Sequence, residues 1–302
     1  MSVSGVSTQI ASQDVSSPVA QPVFWWRKEW RLLAISSLVI ALYGPVVVSW
    51  MQDWWSNETY SHGFLAAAIA LYLAWKQRSA TLAVPANPSA RGLILTSASV
   101  LMFIVGQLGA EFFTTRMSLI MLLCGLIWTF WGLPRLRRLA FPLLLLASVV
   151  PPPVILYNKL AAPLQLLASG LATQLAQALG ASIFRDGNVI QLPNMTLGVA
   201  EACSGLRSLA SLTVGALLLG YVEHLRTLGR VLVLLLAIPI AILFNVLRVT
   251  GTALLAEQHP DLALGFYHSL TGWLVFVGGF GTLYASAKLL RLILDRRRRL
   301  SA

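Results

Sequence analysis

Charge is what this chain has least of. Asp, Glu, Lys and Arg supply only 11% of its 302 residues, against about 25% in soluble domains. Apolar residues supply 57%. That composition excludes the ordinary pair of soluble domains that the length alone would suggest. Cysteine is nearly absent, with Cys124 and Cys203 the only two, so there is no disulfide framework. No C-x-x-C or H-E-x-x-H spacing occurs, and a metal site would have to be assembled from scattered residues. There is no G-x-x-x-x-G-K loop to cradle a phosphate either. Neither a metal nor a cofactor is expected. Acids are half as numerous as bases, which gives a net charge of +11. The basic residues sit in short segments between apolar runs, the pattern of membrane orientation signals rather than of nucleic-acid binding.

What is present is apolar sequence in runs that approach the roughly 20 residues needed to cross a bilayer. The expectation is an all-α polytopic membrane protein with about eight spans: Leu32–Trp50, Gly63–Trp75, Gly92–Ala110, Met117–Gly132, Ala140–Tyr157, Gly205–Val222, Val231–Leu247 and Ser269–Leu290. With a cytoplasmic N-terminus, the inside segments "WWRKEWR", "WKQRSA…SAR", "PRLRR", "EHLRTLGR" and "KLLRLILDRRRR" hold 17 of the 22 lysines and arginines. Only Arg116, Lys159, Arg185, Arg207 and Arg248 fall outside, along with seven of the eleven acids. The positive-inside rule then favours an inner-membrane, multi-pass protein with both termini in the cytoplasm.

Residues 1–23 are polar and Ser-rich without a basic n-region, and read as a disordered cytoplasmic tail. Residues 24–295 read as a single transmembrane domain and 296–302 as a basic cytoplasmic tail. One segment tests the count. Ala161–Phe184 is uncharged, yet Leu160, Leu164, Leu167, Leu171, Leu175 and Leu179 recur at three- and four-residue spacing, with Gln165, Gln174 and Gln177 elsewhere on the wheel. That pattern is an amphipathic helix at the periplasmic interface more than a span. Making it a span would send the arginine-rich tail outside. The turn signals Asp186-Gly187 and Pro193-Asn194 then flank short β-prone runs and predict a small periplasmic β-hairpin before the sixth span.

In this topology three chemically different residues fall on the outer face. Cys203, in "VAEACSGLRSL", opens the sixth span. A helix N-terminus carries unpaired N–H groups and a partial positive charge, which lower a thiol's pKa. Arg207, four residues on, pushes the same way, and Glu201 opposes it. Gly205 lets another backbone approach closely. The plainer alternative is a buried cysteine beside a helix cap. Arg248 follows a long apolar run and either snorkels to the interface or steadies an anion. Asn245, three residues earlier on the same face, needs a polar partner inside a span. His268 begins the eighth span, where the helix dipole favours the neutral imidazole that can accept a thiol proton. His62, in "YSHGFL", is the rival external histidine. His259 sits in a loop beside a proline, His224 falls inside, and mid-span Cys124 reads as a small hydrophobe.

The ordered set "YSHGFL", "ACSGLRSL", "NVLRVTG" and "YHSLTGW" resembles the exosortase/archaeosortase family, from about Trp50 to the last span. A histidine at position 268 is similar to the bacterial exosortase branch. The resemblance implies a membrane cysteine peptidase or transpeptidase that cuts a C-terminal sorting tail and passes the exported protein to an acceptor. That tail is a short motif (Pro-Glu-Pro in the bacterial case), a span and a basic cluster. It further implies Cys203 as nucleophile, Arg248 as the family motif's arginine and His268 as acid/base. Amide groups at residues 204 to 206, from Ser204 and Gly205 onward, would help bind the oxyanion. Partners would be such tailed proteins, membrane lipid and an acceptor not named by the sequence, with no nucleic acid. Two other readings stay open: a transporter or assembly subunit for an exported polysaccharide or lipid, whose polar residues would line a path, and a hydrolase that releases its substrate with water.

Overall fold

The structure, a computed structural model, describes residues 26–57, 59–193, 195–198, 205–259 and 266–301. Its elements are α1 (Trp26–Ser56), α2 (His62–Lys76), α3 (Arg78–Leu82), α4 (Arg91–Leu108), α5 (Phe112–Trp131), α6 (Leu133–Ala147), α7 (Val154–Ala178), β1 (Phe184–Asp186), β2 (Val189–Gln191), β3 (Thr196–Gly198), α8 (Leu206–Val222), α9 (Thr227–Gln258) and α10 (Phe266–Ser301). The chain divides into two units, residues 1–45 and 46–302. The first contributes, among the described residues, the leading part of α1, and the second contains everything discussed below.

Among the described residues, α1, α4, α5, α7, α9 and α10 are long and apolar enough to cross a membrane, and α2 and α8 are shorter apolar helices. The chain is a helical multi-pass membrane protein. The expected fifth span, Ala140–Tyr157, is not one helix. α6 stops at Ala147 and α7 starts at Val154. Pro151, Pro152 and Pro153 lie between, and three successive residues without an N–H cannot carry a helix ladder. The residues beyond them join the leucine-rich segment in a single 25-residue helix.

Small residues bring the helices together. A methyl group at Gly106 would stand 2.5 Å from the Thr115 hydroxyl, and one at Gly125 would stand 2.6 Å from Thr96. The α4–α5 pair is therefore built on the close backbone approach typical of membrane helices. The expected hairpin is present and enlarged. β1 and β2 pair antiparallel around a two-residue loop, with Gly187 at φ +61° in its first position, and β3 adds a third strand to β2. Ile190 is fully buried in a core shared with Ala172 and Ala176 of α7 and Val246, Val249 and Ala253 of α9.

Long-range hydrogen bonds sort to two ends of the helices. At one end Trp50 donates to the Val149 carbonyl, Arg116 pairs with Asp53, His62 meets Ser211, and the Ser182 amide donates to Glu257. At the other, Gln77 donates to Tyr221, Arg135 to the Leu82 and Val84 carbonyls, and Arg291 to Glu223. α2 and α8 therefore run parallel. α7 leaves from beside Val149 and arrives beside Ser182, so both its termini belong to the first end.

Candidate functional site

The site begins at the head of α8. Gly205 adopts φ +83°, a left-handed conformation that only glycine takes without strain. A methyl group there would lie 3.2 Å from Cγ of Asn245, so the same glycine also lets α8 close onto α9. Asn245 is 2% exposed and Arg248 7%. They stand three residues apart on one face of α9, and both engage polar partners. A snorkelling arginine would show its head to solvent. Arg248 does not, so the fold has enclosed a guanidinium.

The third wall is α10. A methyl group at Gly272 would stand 3.3 Å from an Nη of Arg248 and 3.5 Å from its Cζ. The guanidinium thus lies against the backbone of α10, one turn beyond the position of His268. Three elements that are distant in sequence therefore meet on the Asn245–Arg248 edge. Two are its glycine contacts, one in the motif that contains Cys203 and one in the motif that contains His268.

The His268 backbone is in the first turn of α10, and its side chain lies outside the described residues. Cys203, Ser204 and Glu201 lie outside them entirely. Arg207 is in the first turn of α8, half-buried and engaged by a polar partner. His62 is brought to α8 as well, but lower down. Its Nδ1 is 3.3 Å from the Ser211 hydroxyl, six residues past Gly205 or about 9 Å along the helix. The structure puts His62 against the body of α8 rather than against its head. His259 caps the far end of α9, and His224 lies in the α8–α9 turn at the opposite end of the helices. Cys124 is half-buried within α5.

The sequence reading missed Gly272 and Ser211. The signal for Gly272 was its place four residues after His268, since a small residue one turn away leaves room for a large neighbour. Ser211 had none, because a lone serine in an apolar helix usually bonds its own backbone. Two other charged residues that the sequence expectation places outside have structural duties. Arg116, 2% exposed, pairs with Asp53 at 2.6 Å, and Arg185 donates to the Leu166 carbonyl.

This geometry describes a helical membrane protein that gathers a buried amide and guanidinium at one end, between two glycines from separate helices. The model of the transmembrane exosortase family matches residues 54–285. The chain belongs to that family. No curated protein and no solved structure matches it.

Proposed function

We propose that the chain is a membrane-embedded cysteine transpeptidase that cuts the C-terminal sorting tail of exported proteins. The observation that carries this reading is the enclosed Arg248, flanked by Gly205 and Gly272. It supports a site in which Cys203, Arg248 and His268 act together. The thiolate of Cys203 attacks the scissile carbonyl carbon, and the carbonyl π electrons move to oxygen. Arg248 and the amides at the head of α8 stabilise the oxyanion. The C–N bond then breaks, His268 gives its proton to the leaving amine, and a thioester remains. An acceptor amine attacks the thioester, gives a proton back to His268, and expels the thiolate as the new C–N bond forms. Among the supporting residues, Arg207 would favour the thiolate and Glu201 would oppose it. Asn245 holds the α8 head, and His62 braces α8 through Ser211.

The site faces the periplasm. Support comes from the two sets of hydrogen bonds. The end that carries Gln77, Arg135 and Arg291 is the basic, cytoplasmic one. The end that carries Asp53, His62 and Glu257 is the outer one. α7 has both termini at the outer end, and on this reading it lies at the periplasmic interface with the small sheet rather than crossing. α6 then completes the upward crossing that α8 reverses.

A transporter would need polar groups along a path, whereas the Asn245–Arg248 edge lies at one level. The deciding experiment is co-expression with a tripartite-tail protein, reading its size. Cys203→Ala should insert normally and abolish tail removal. Intact cleavage in Cys203→Ala would end the transpeptidase reading, and a block in polymer export alone would favour the transporter.

A further inference from the structure

The opposite end of the helices carries a cleft that the transpeptidase reading does not use. It has a volume of about 410 Å³ and lies between the α8–α9 turn and the last part of α10. We propose that it binds the phosphate headgroup of an anionic phospholipid from the cytoplasmic leaflet.

Charge is the first argument. Arg226 lines the cleft and makes no ion pair among the described residues, while Arg291 lines it from α10. Glu223 holds Arg291 at 2.8 Å, and Asp295, which also lines the cleft, lies 4.0 Å from Arg291, so among the described residues neither acid pairs with Arg226. Arg226 is left for an outside anion. The same spot is the start of α9, which has no acidic residue in its first turn and no side-chain cap. A helix's positive end beside an arginine is poorly matched until an anion joins them.

Shape is the second argument. Leu225, Leu228 and Leu294 line the same cleft. Leu225 is buried, and Leu228 is 61% exposed. A pocket lined by both guanidinium groups and leucines suits a phosphodiester with acyl chains, and suits a free phosphate poorly. His224 adds a strained element, since its φ of +51° is left-handed for a non-glycine residue. The tight turn that this conformation makes brings residues 224 to 226 to the cleft. Basic pockets between membrane helices on the cytoplasmic side are a recurrent way to hold anionic headgroups.

The test uses the full chain in nanodiscs of phosphatidylcholine with or without phosphatidylglycerol, counting retained lipid by native mass spectrometry. Wild type should retain phosphatidylglycerol in preference to phosphatidylcholine. Arg226→Gln should weaken retention about fivefold, and Leu228→Asp should weaken it too. Arg137→Gln, an exposed arginine at the same end but away from the cleft, should leave it unchanged. Equal weakening by Arg226→Gln and Arg137→Gln would reduce the effect to general basic attraction and overturn the proposal. Displacement by glycerol 3-phosphate as effectively as by the lipid would overturn the lipid assignment. Cys203→Ala should retain lipid like wild type, so failure here is separate from failure of the transpeptidase reading.

Discussion

Arg248 is a cation that the fold has taken out of solvent, 7% exposed and packed against Gly272 of α10, and such a group is costly to enclose without partners. A planar guanidinium set against the α10 backbone at Gly272 presents its N–H groups in fixed directions. An ammonium would keep the charge and lose that fork. Arg248→Lys should therefore slow tail processing by about 10²–10³-fold, the range for removing an oxyanion donor, while the protein accumulates normally. Gly272→Leu should do the same without touching a charged residue, because its side chain would displace the guanidinium. Processing rates of a co-expressed substrate check both, and wild-type turnover in Gly272→Leu would remove Arg248 from the chemistry. At this scale the sequence was informative where a polar residue interrupts an apolar run. Asn245 and Arg248 stood out for that reason. Gly272 and Ser211 did not, because their importance depends on which helix they face.

Helix starts show how few polar groups hold each element. Glu111 caps α5, accepting from the Phe113 and Thr114 amides. Burial pushes its carboxyl up, but those hydrogen bonds and the nearby Arg116 charge outweigh it and hold its pKa below the usual carboxylate range. A depressed folded pKa gives stability that is present above the unfolded value, about 4.3, and lost as pH falls through the lower folded value. Glu111→Gln should therefore cost stability at neutral pH, about 1 kcal/mol for a weakened cap. It should also lose less than wild type on acidification below about pH 4. Thermal melts in detergent across that range measure both, and parallel acid limbs would contradict the assignment. Element boundaries were partly legible. The Gly187 hairpin could be read from turn chemistry. The division into α6 and α7 was also written in the chain, in the run Pro151–Pro153, but apolar continuity on either side outweighed it. Periodicity identifies a helical face and says less about where one helix ends.

For the molecule as a whole, the charge asymmetry visible in the sequence and the two sets of hydrogen bonds agree on which segments share an end. That agreement makes a sharp expectation. In a Cys124→Ala, Cys203→Ala background, a cysteine at Asn188, in the hairpin loop, should react with a membrane-impermeant maleimide added to intact spheroplasts. One at Arg137 should react only after permeabilisation. Labelling of the Asn188 cysteine only after permeabilisation, like the one at Arg137, would mean that α7 crosses. The sequence suggested which segments share an end through its bases, whereas the meeting of α8, α9 and α10 at Arg248 required three-dimensional packing that no local pattern encodes.

α9 has 32 residues, and its length makes the molecule a calliper. Thr227 to Arg248 spans about 32 Å at the helical rise, close to the roughly 30 Å of a bilayer's hydrocarbon. On the proposed topology, a membrane of that thickness would hold the guanidinium at the level where a substrate carbonyl leaves the acyl chains. Reconstitution in shorter- or longer-chain lipids should tilt α9 or leave Arg248 at the wrong depth. Catalytic rate should then peak at one acyl length, tuned by the host membrane rather than by any side chain.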